Sequence, residues 1–261
     1  MALAQGAFAP AEHCFANLWL FRDVHCYRLF DGPIPHLRGV TYDGETHALP
    51  LGVVSTAQVD SLFADGVDCL YPLTRDAADR YQGDIAANPA DSDYWYKAAD
   101  MATLAHAKTR RSQARSFAER CQPIFEAWHD DLSDDALHVL DGWASDITRP
   151  AKETDIAECR EAISLADTLG LEGGVVRIGS KPVSFLLASR SGNTRVLHFA
   201  KGRRAFDGCY PWMFATYAAQ SGAEWLNFEQ DLGIPGLAQS KRAYAPHSLQ
   251  PKYRVRKSLH I

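Results

Sequence analysis

No basic side chain precedes Arg22, so the positive start of a secretory signal is missing. No apolar run approaches the roughly 18 residues that a membrane-spanning helix needs. A soluble, cytoplasmic protein is expected. The six cysteines, at positions 14, 26, 69, 121, 159 and 209, form no C-x-x-C pair and no metal spacing. They read as small buried or half-buried thiols in a reducing compartment. A cysteine nucleophile would need a positioned histidine, and the sequence marks none. There is no G-x-x-x-x-G-K-[ST], no H-E-x-x-H and no G-x-S-x-G. The glycines of GLEGGVVRIG follow a helical pattern and precede a strand, the reverse of a dinucleotide fingerprint. The ten histidines are not paired at ligand spacing, so no metal site is expected. Metal-dependent hydrolysis, simple kinase activity and lipase-type chemistry are left without support.

What is present is a chain of 261 residues with ample length for a core, 46% hydrophobic and 23% charged, which is the composition of a folded protein. Its formal net charge of −5 argues against a general nucleic-acid coat. That mean hides an asymmetry. Residues 177–204 carry seven Lys/Arg and no acid, residues 241–261 carry six and no acid, and residues 101–120 carry five and one Glu. Three basic windows in an acidic chain can fold onto one face and attract a polyanion. The same count fits basic residues scattered over solvated faces.

The first 50 residues read as hairpin material: DVHCYRLFD alternates, and Gly32-Pro33 and Asp43-Gly44 punctuate it. TAQVDSLFA and RDAADRYQG read as helices around a short strand, VDCLYPL. AHAKTRRSQARSFAERC reads as a basic helix that Pro123 ends, with Lys108, Arg111 and Arg115 on one face. Ser133 followed by Asp134 and Asp135 reads as a capped helix start. TDIAECREAISLADTLGLEGG reads as an amphipathic helix with Gly170 as its stop. Strands follow at 174–179, 182–189 and 194–200, then a helix at 209–222, a strand at 224–228 and a helix around 235–243. The second half is thus a strand meander, a helix and one more strand, which makes a mixed sheet with helices on its faces. The first half is a blurred version of the same plan.

The most pointed stretch is AEWLNFEQDLGIPGLAQSKRAYAP, residues 223–246. Strand alternation sends Leu226 and Phe228 to the core and Asn227, Glu229 and Asp231 to the other side. Two carboxylates and an amide at a strand's carboxyl end can bind an ammonium group or take a proton from an attacking amine. Lys241 can pair with them or with a phosphate. A strand-end turn whose acids cap the next helix or form ion pairs would look the same.

The stretches VLHFAKGRRAFDGCY, WLNFEQDLGIPGLAQSKRAYAP and KYRVRK resemble the C-terminal domain of the phosphatidylglycerol lysyltransferases, aminoacyl-tRNA-dependent enzymes. That family's pattern is Asn-x-Glu-x-Asp-Leu-Gly-x-x-Gly-Leu, then Lys, Tyr and Pro. It is met by Asn227, Glu229, Asp231, Leu232, Gly233, Gly236, Leu237, Lys241, Tyr244 and Pro246. A weaker match covers residues 15–29 and 94–117, where Ser112 stands in place of an expected Asn. The resemblance implies an α/β fold of two tandem GNAT-like domains, 1–124 and 125–261, each a mixed, mostly antiparallel sheet flanked by helices, with most of the site in the second.

The resemblance also implies acyl or aminoacyl transfer from aminoacyl-tRNA as co-substrate, with no cofactor, to an amine or hydroxyl of a small molecule, peptide or lipid headgroup. Phosphatidylglycerol as acceptor is not implied, because lipid-modifying members carry a membrane portion ahead of this domain. Glu229 and Asp231 are expected to bind the donor's α-ammonium or act as base, and Asn227 to orient the ester. His198, Lys201, Tyr210 and Tyr244 are expected to line the cleft, with Lys241 supplying positive charge. Lys108, Arg110, Arg111, Arg203 and Arg204 are expected to form the polyanion surface. The rival is an acyl-CoA-dependent N-acyltransferase, but KGRRAFDGCYPW lacks the Arg-x-x-Gly-x-Gly turn that grips pyrophosphate. A non-catalytic binding module on the same fold is the third reading, under which Glu229→Gln and Asp231→Asn leave function intact.

Overall fold

A computed structural model describes residues 8–148, 150 and 153–258. Helix α1 (Phe15–Leu20) leads to strands β1 (Arg28–Phe30), β2 (His36–Val40) and β3 (Thr46–Pro50). Then come α2 (Thr56–Ala64), β4 (Cys69–Leu73), α3 (Arg75–Ala78) and β5 (Asp84–Ala87). Strand β6 (Asp93–Lys97) runs into α4 (Ala98–Thr103) and α5 (Lys108–Cys121), followed by β7 (Ile124–Ala127), α6 (Ser133–Asp146) and α7 (Ile156–Ser164). The meander is β8 (Leu171–Ile178), β9 (Lys181–Ser191) and β10 (Thr194–Gly202). It is followed by α8 (Cys209–Gln220), β11 (Trp225–Asn227), α9 (Pro235–Arg242), β12 (Ser248–Gln250) and β13 (Tyr253–Arg256).

These elements form two compact units. The first holds residues up to Asp93, Gln230–Ile234 and the chain from Leu249; the second holds Tyr94–Glu229 and Pro235–Ser248. The division therefore differs from the single boundary after residue 124 expected above. Residues 94–124 fold with the second unit, because β6 pairs with β11 and β7 with β8.

The first unit is a sheet in the order β1-β2-β3-β4-β13-β5. Only β3 and β4 run parallel, joined through α2, whose start is fixed by a reciprocal Ser55–Gln58 capping box. Val59 and Leu62 of α2 pack with Ala48, Leu70 and Val255. The DVHCYRLFD strand begins only at Arg28, because Phe21–Tyr27 continue the turn out of α1. The chain's end, not expected as part of this unit, enters as β13, antiparallel to both β4 and β5.

The second unit is a sheet in the order β12-β6-β11-β10-β9-β8-β7, in which β10 and β11 run parallel across α8. Period-two alternation sends Val176, Val183, Leu186 and Leu197 into a core shared with Phe117, Met213 and Phe228. Helices α4 and α5 pack on α8, while α6 packs on β9 and β10 and against α7. The meander, α8, β11 and α9 fall where the sequence places them. Ser133 opens α6 from inside, with Leu132 in the capping position, and α7 ends at Ser164, well short of Gly170. Among the described residues no helix is long and apolar enough to cross a membrane. The molecule is thus mixed α/β, with two mixed, mostly antiparallel sheets flanked by helices.

Candidate functional site

Strand β11 carries the stretch that the sequence singled out. Asn227 lies between Val196 of β10 and Trp95 of β6 and is fully buried. Leu226 and Phe228 enter the core as the alternation requires. The strand then stops, because Glu229 takes a left-handed backbone, φ +58°. A non-glycine residue there costs on the order of 1–2 kcal/mol. Several bonds hold it. The Glu229 N–H donates to Asn227 Oδ1 at 2.7 Å, and its carbonyl accepts from the Tyr94 N–H at 3.1 Å. Lys241 Nζ, from α9, donates to the carbonyls of Phe228 at 2.5 Å and Glu229 at 3.2 Å. Tyr96 in turn fixes α9, its hydroxyl donating to the Lys241 carbonyl at 2.8 Å. Strain over-determined in this way is common where a side chain is aimed for use.

The Glu229 side chain meets His198. Imidazole Nδ1 lies 2.7 Å from Glu229 Oε1, and Nε2 lies 2.9 Å from Ser189 Oγ. His198 is the extra residue of a β-bulge in β10, where the pairing with β9 slips between Leu197 and Phe199. A bulge turns one side chain out of the ordinary alternation. The imidazole is closed off from solvent, while the Glu229 side chain keeps 17% exposure. His198 therefore touches Ser189 and Glu229 from inside, a different place from the cleft lining expected of it.

The other expected residues are dispersed. Asp231 belongs to the first unit, is buried, and accepts the Gly233 N–H at 2.9 Å, the turn role that the sequence left open. Lys201 points to α6 and α7: its Nζ sits 2.7 and 2.8 Å from the Asp155 oxygens and 4.2 Å from the Trp143 ring centroid. Tyr210 packs beside Phe214, and burial pushes its phenol well up from the ordinary value. Tyr244 is buried against Phe214 and Phe228 with the Arg110 guanidinium over its ring at 5.1 Å, and burial raises its phenol too. Arg203 and the Arg204 N–H both bind Asp146, and Arg203 lies against Gly142, where a Cβ would clash with it. Lys108 and Arg111 are exposed on α5. Of the expected set, Asn227, Glu229, His198 and Lys241 converge. Ser189 and Tyr96 belong with them, and only the bulge and long-range pairing would have marked them.

The C-terminal basic window has a second use. Lys252, Arg254 and Arg256 alternate along one face of the chain at β13. Lys252 Nζ is buried between Glu12 at 2.6 Å and Asp93 at 2.8 Å. Arg254 binds Asp43, Glu45 and Asp91, each at 2.7 Å, and Arg256 binds Glu45. Burial pushes the Glu12 carboxyl up in spite of Lys252, and the two acids push Lys252 up in spite of burial. These cations complete the fold of the first unit. Cys69, Cys159 and Cys209 are buried, and Cys26 is exposed. Among the described residues no group of three or more His, Cys, Asp or Glu could hold a metal ion. An open hollow of about 350 Å³ in the second unit is lined by Trp128, His129, Asp130, Asp131, Asp167 and Leu171, and none of the converging residues borders it.

A conserved protein of unknown function from Bacteroides thetaiotaomicron has a similar fold, with a TM-score of 0.81 at 20% identity over 95% of this chain and 91% of that one. The C-terminal domain of a putative lysylphosphatidylglycerol synthetase from Agrobacterium fabrum follows, with a TM-score of 0.60 at 15% identity over 93% and 87% of the two chains. L-PGS from Bacillus licheniformis gives 0.56 at 12% identity over 98% and 95%. At these identities the likeness is one of fold. No curated protein matches the sequence. The family model of phosphatidylglycerol lysyltransferase, C-terminal, matches residues 4–256, nearly the whole chain, and the protein belongs to that family.

Proposed function

We propose that this protein is an acyltransferase that moves an aminoacyl group from aminoacyl-tRNA to an amine or hydroxyl acceptor in the cytoplasm. The observation that carries the reading is Glu229, held at a strand end by Asn227, His198 and Lys241, in a chain whose family is named for lysyl transfer. The tRNA ester is already activated. The acceptor's nitrogen or oxygen bonds to the ester carbonyl carbon, the bond to the ribose oxygen breaks, and Glu229 carries the proton from acceptor to ribose. Positioning and stabilisation of the tetrahedral intermediate supply the rest of the rate. The exposed Lys108, Arg111 and Arg115 face of α5 supports a polyanion donor.

One observation weighs against the acyl-CoA alternative. The start of α8 is where a pyrophosphate would be cradled by a helix N-terminus. Gly208, at that start, has backbone of α5 against it: an added Cβ would lie 2.4 Å from the Gln113 carbonyl and 2.9 Å from Phe117 Cβ. Helix α5 thus packs closely against one side of that start.

Ligand-induced thermal stabilisation tests the reading. Charged tRNA is expected to stabilise the protein, less as salt rises. Lys108→Glu with Arg111→Glu is expected to weaken the effect and flatten its salt slope by roughly one for each phosphate no longer bound. Glu229→Gln is expected to bind and not transfer. A shift with CoA thioesters alone would overturn the proposal.

A further inference from the structure

Ser189, His198 and Glu229 form a chain of two hydrogen bonds across β9, β10 and the end of β11. We propose that Ser189 and His198 are positioning residues that hold the Glu229 carboxylate in one orientation, as acceptor of a proton or an ammonium group; this rests on the reading of Glu229 given above. The order hydroxyl–imidazole–carboxylate is that of a hydrolase triad, in which the hydroxyl meets the substrate. Here the exposures are reversed. Ser189 is 5% exposed and the imidazole is closed off, while Glu229 reaches the surface. The open end is the acid, so Ser189 is no nucleophile and acts through its neighbours.

The carboxylate decides how the chain is wired. A neutral imidazole has one nitrogen donating and one accepting. If Ser189 donates its O–H to Nε2, the ring proton sits on Nδ1 and is donated to Glu229 Oε1, so every group has a complementary partner. If the ring proton sat on Nε2, the Nδ1 lone pair would face a carboxylate oxygen 2.7 Å away, which is repulsive. The Glu229 carboxylate, which can only accept, therefore puts a proton on Nδ1, and the Ser189 hydroxyl holds the other end of the ring at Nε2. The bulge at His198 supplies the geometry, since it turns the ring toward both the Ser189 oxygen on one strand and the Glu229 oxygen beyond another. The carboxylate is gripped at its backbone by Asn227 and Lys241 and at its side chain by His198. Such a double hold serves a group whose aim matters.

The test uses the full 261-residue chain with 15N-labelled histidine. At neutral pH the His198 Nδ1 is expected to carry a proton. Ser189→Ala, which removes only an oxygen, is expected to leave Nδ1 protonated, to shift the Nε2 resonance whose partner is lost, and to lower kcat for aminoacyl transfer roughly 10- to 100-fold with little change in KM. Ser189→Thr keeps the hydroxyl and is expected to restore both. A ring protonated on Nε2 alone, an Nε2 resonance unmoved by Ser189→Ala, or a shifted resonance with unchanged kcat each overturns the proposal. If the unsubstituted protein transfers no aminoacyl group, the function reading fails by itself. The Nδ1 and Nε2 resonances of His198 in the unsubstituted protein and in Ser189→Ala then still decide the proposal.

Discussion

Arg254 offers the sharpest test of how the first unit is held together. Its side chain is 3% exposed, and its guanidinium binds Asp91, Glu45 and Asp43, whose side chains are 8%, 27% and 51% exposed. It also lies 5.0 Å from the Tyr71 ring centroid. Arg254→Met keeps the length and apolar stem and removes only the charged fork. The exposed Asp43 matters little to the cost, because water can take over its solvation. Asp91 cannot be resolvated so easily, and removing one partner of a buried pair costs about 3–5 kcal/mol. For a chain of this size, that is roughly 6–20 °C in Tm. Urea unfolding at neutral pH, followed by circular dichroism, measures it. Arg115→Met is the control: its partner Glu119 is also 2.7 Å away, but both side chains are mostly exposed and the midpoint should not move. A loss below about 1 kcal/mol for Arg254→Met would refute the reasoning, because burial of the pair would then not set its worth.

Two further predictions concern the same interiors. His47 is 1% exposed between Tyr27 and Tyr71, and burial depresses its imidazole to about 3. Its folded value lies below the ordinary 6.5, so the unfolded chain takes up the proton first, and stability falls by about 1.4 kcal/mol per pH unit from about 6.5 down towards 3. His47→Phe should remove that slope, and identical pH dependence of the two proteins between pH 7 and 5 would refute it. Gly208→Ala places a Cβ against α5 at a residue with φ +89°, so overpacking and backbone conformation together should cost about 2–4 kcal/mol in thermal unfolding. An unchanged Tm would mean that α5 does not press against Gly208.

Local pattern was legible where neighbours in sequence are neighbours in space. The meander β8–β10, the helix after it and the short β11 follow from period-two alternation, Gly192 in the turn and hairpin-length connections. The end of the chain was not legible as a strand of the first unit. Its pairing with β4 and β5 spans more than 160 residues of sequence, and no local signal encodes such a partner. Counting charge left a polyanion face and scattered basic residues both open for a related reason: the acidic partners of Lys252, Arg254 and Arg256 lie far away in sequence, at 12, 43, 45, 91 and 93. In α5, helical spacing alone puts Lys108, Arg111 and Arg115 on one exposed face.

The Asn-x-Glu-x-Asp spacing is better understood as a specification for the backbone than as three side chains on one face. Alternation along a strand requires extended residues throughout, and it ends when Glu229 turns left-handed. Asn227, buried in the sheet, uses its amide oxygen to hold the N–H of that turned residue. Asp231 does the same two residues on for Gly233, whose φ of +68° suits glycine. Each flanking polar residue thus fixes the amide two positions ahead of it, and Glu229 alone is left to present its side chain toward the surface. On this account Asn227 and Asp231 are worth their hydrogen bonds to the turn, and the residue between them is the one of the three whose carboxylate reaches the surface.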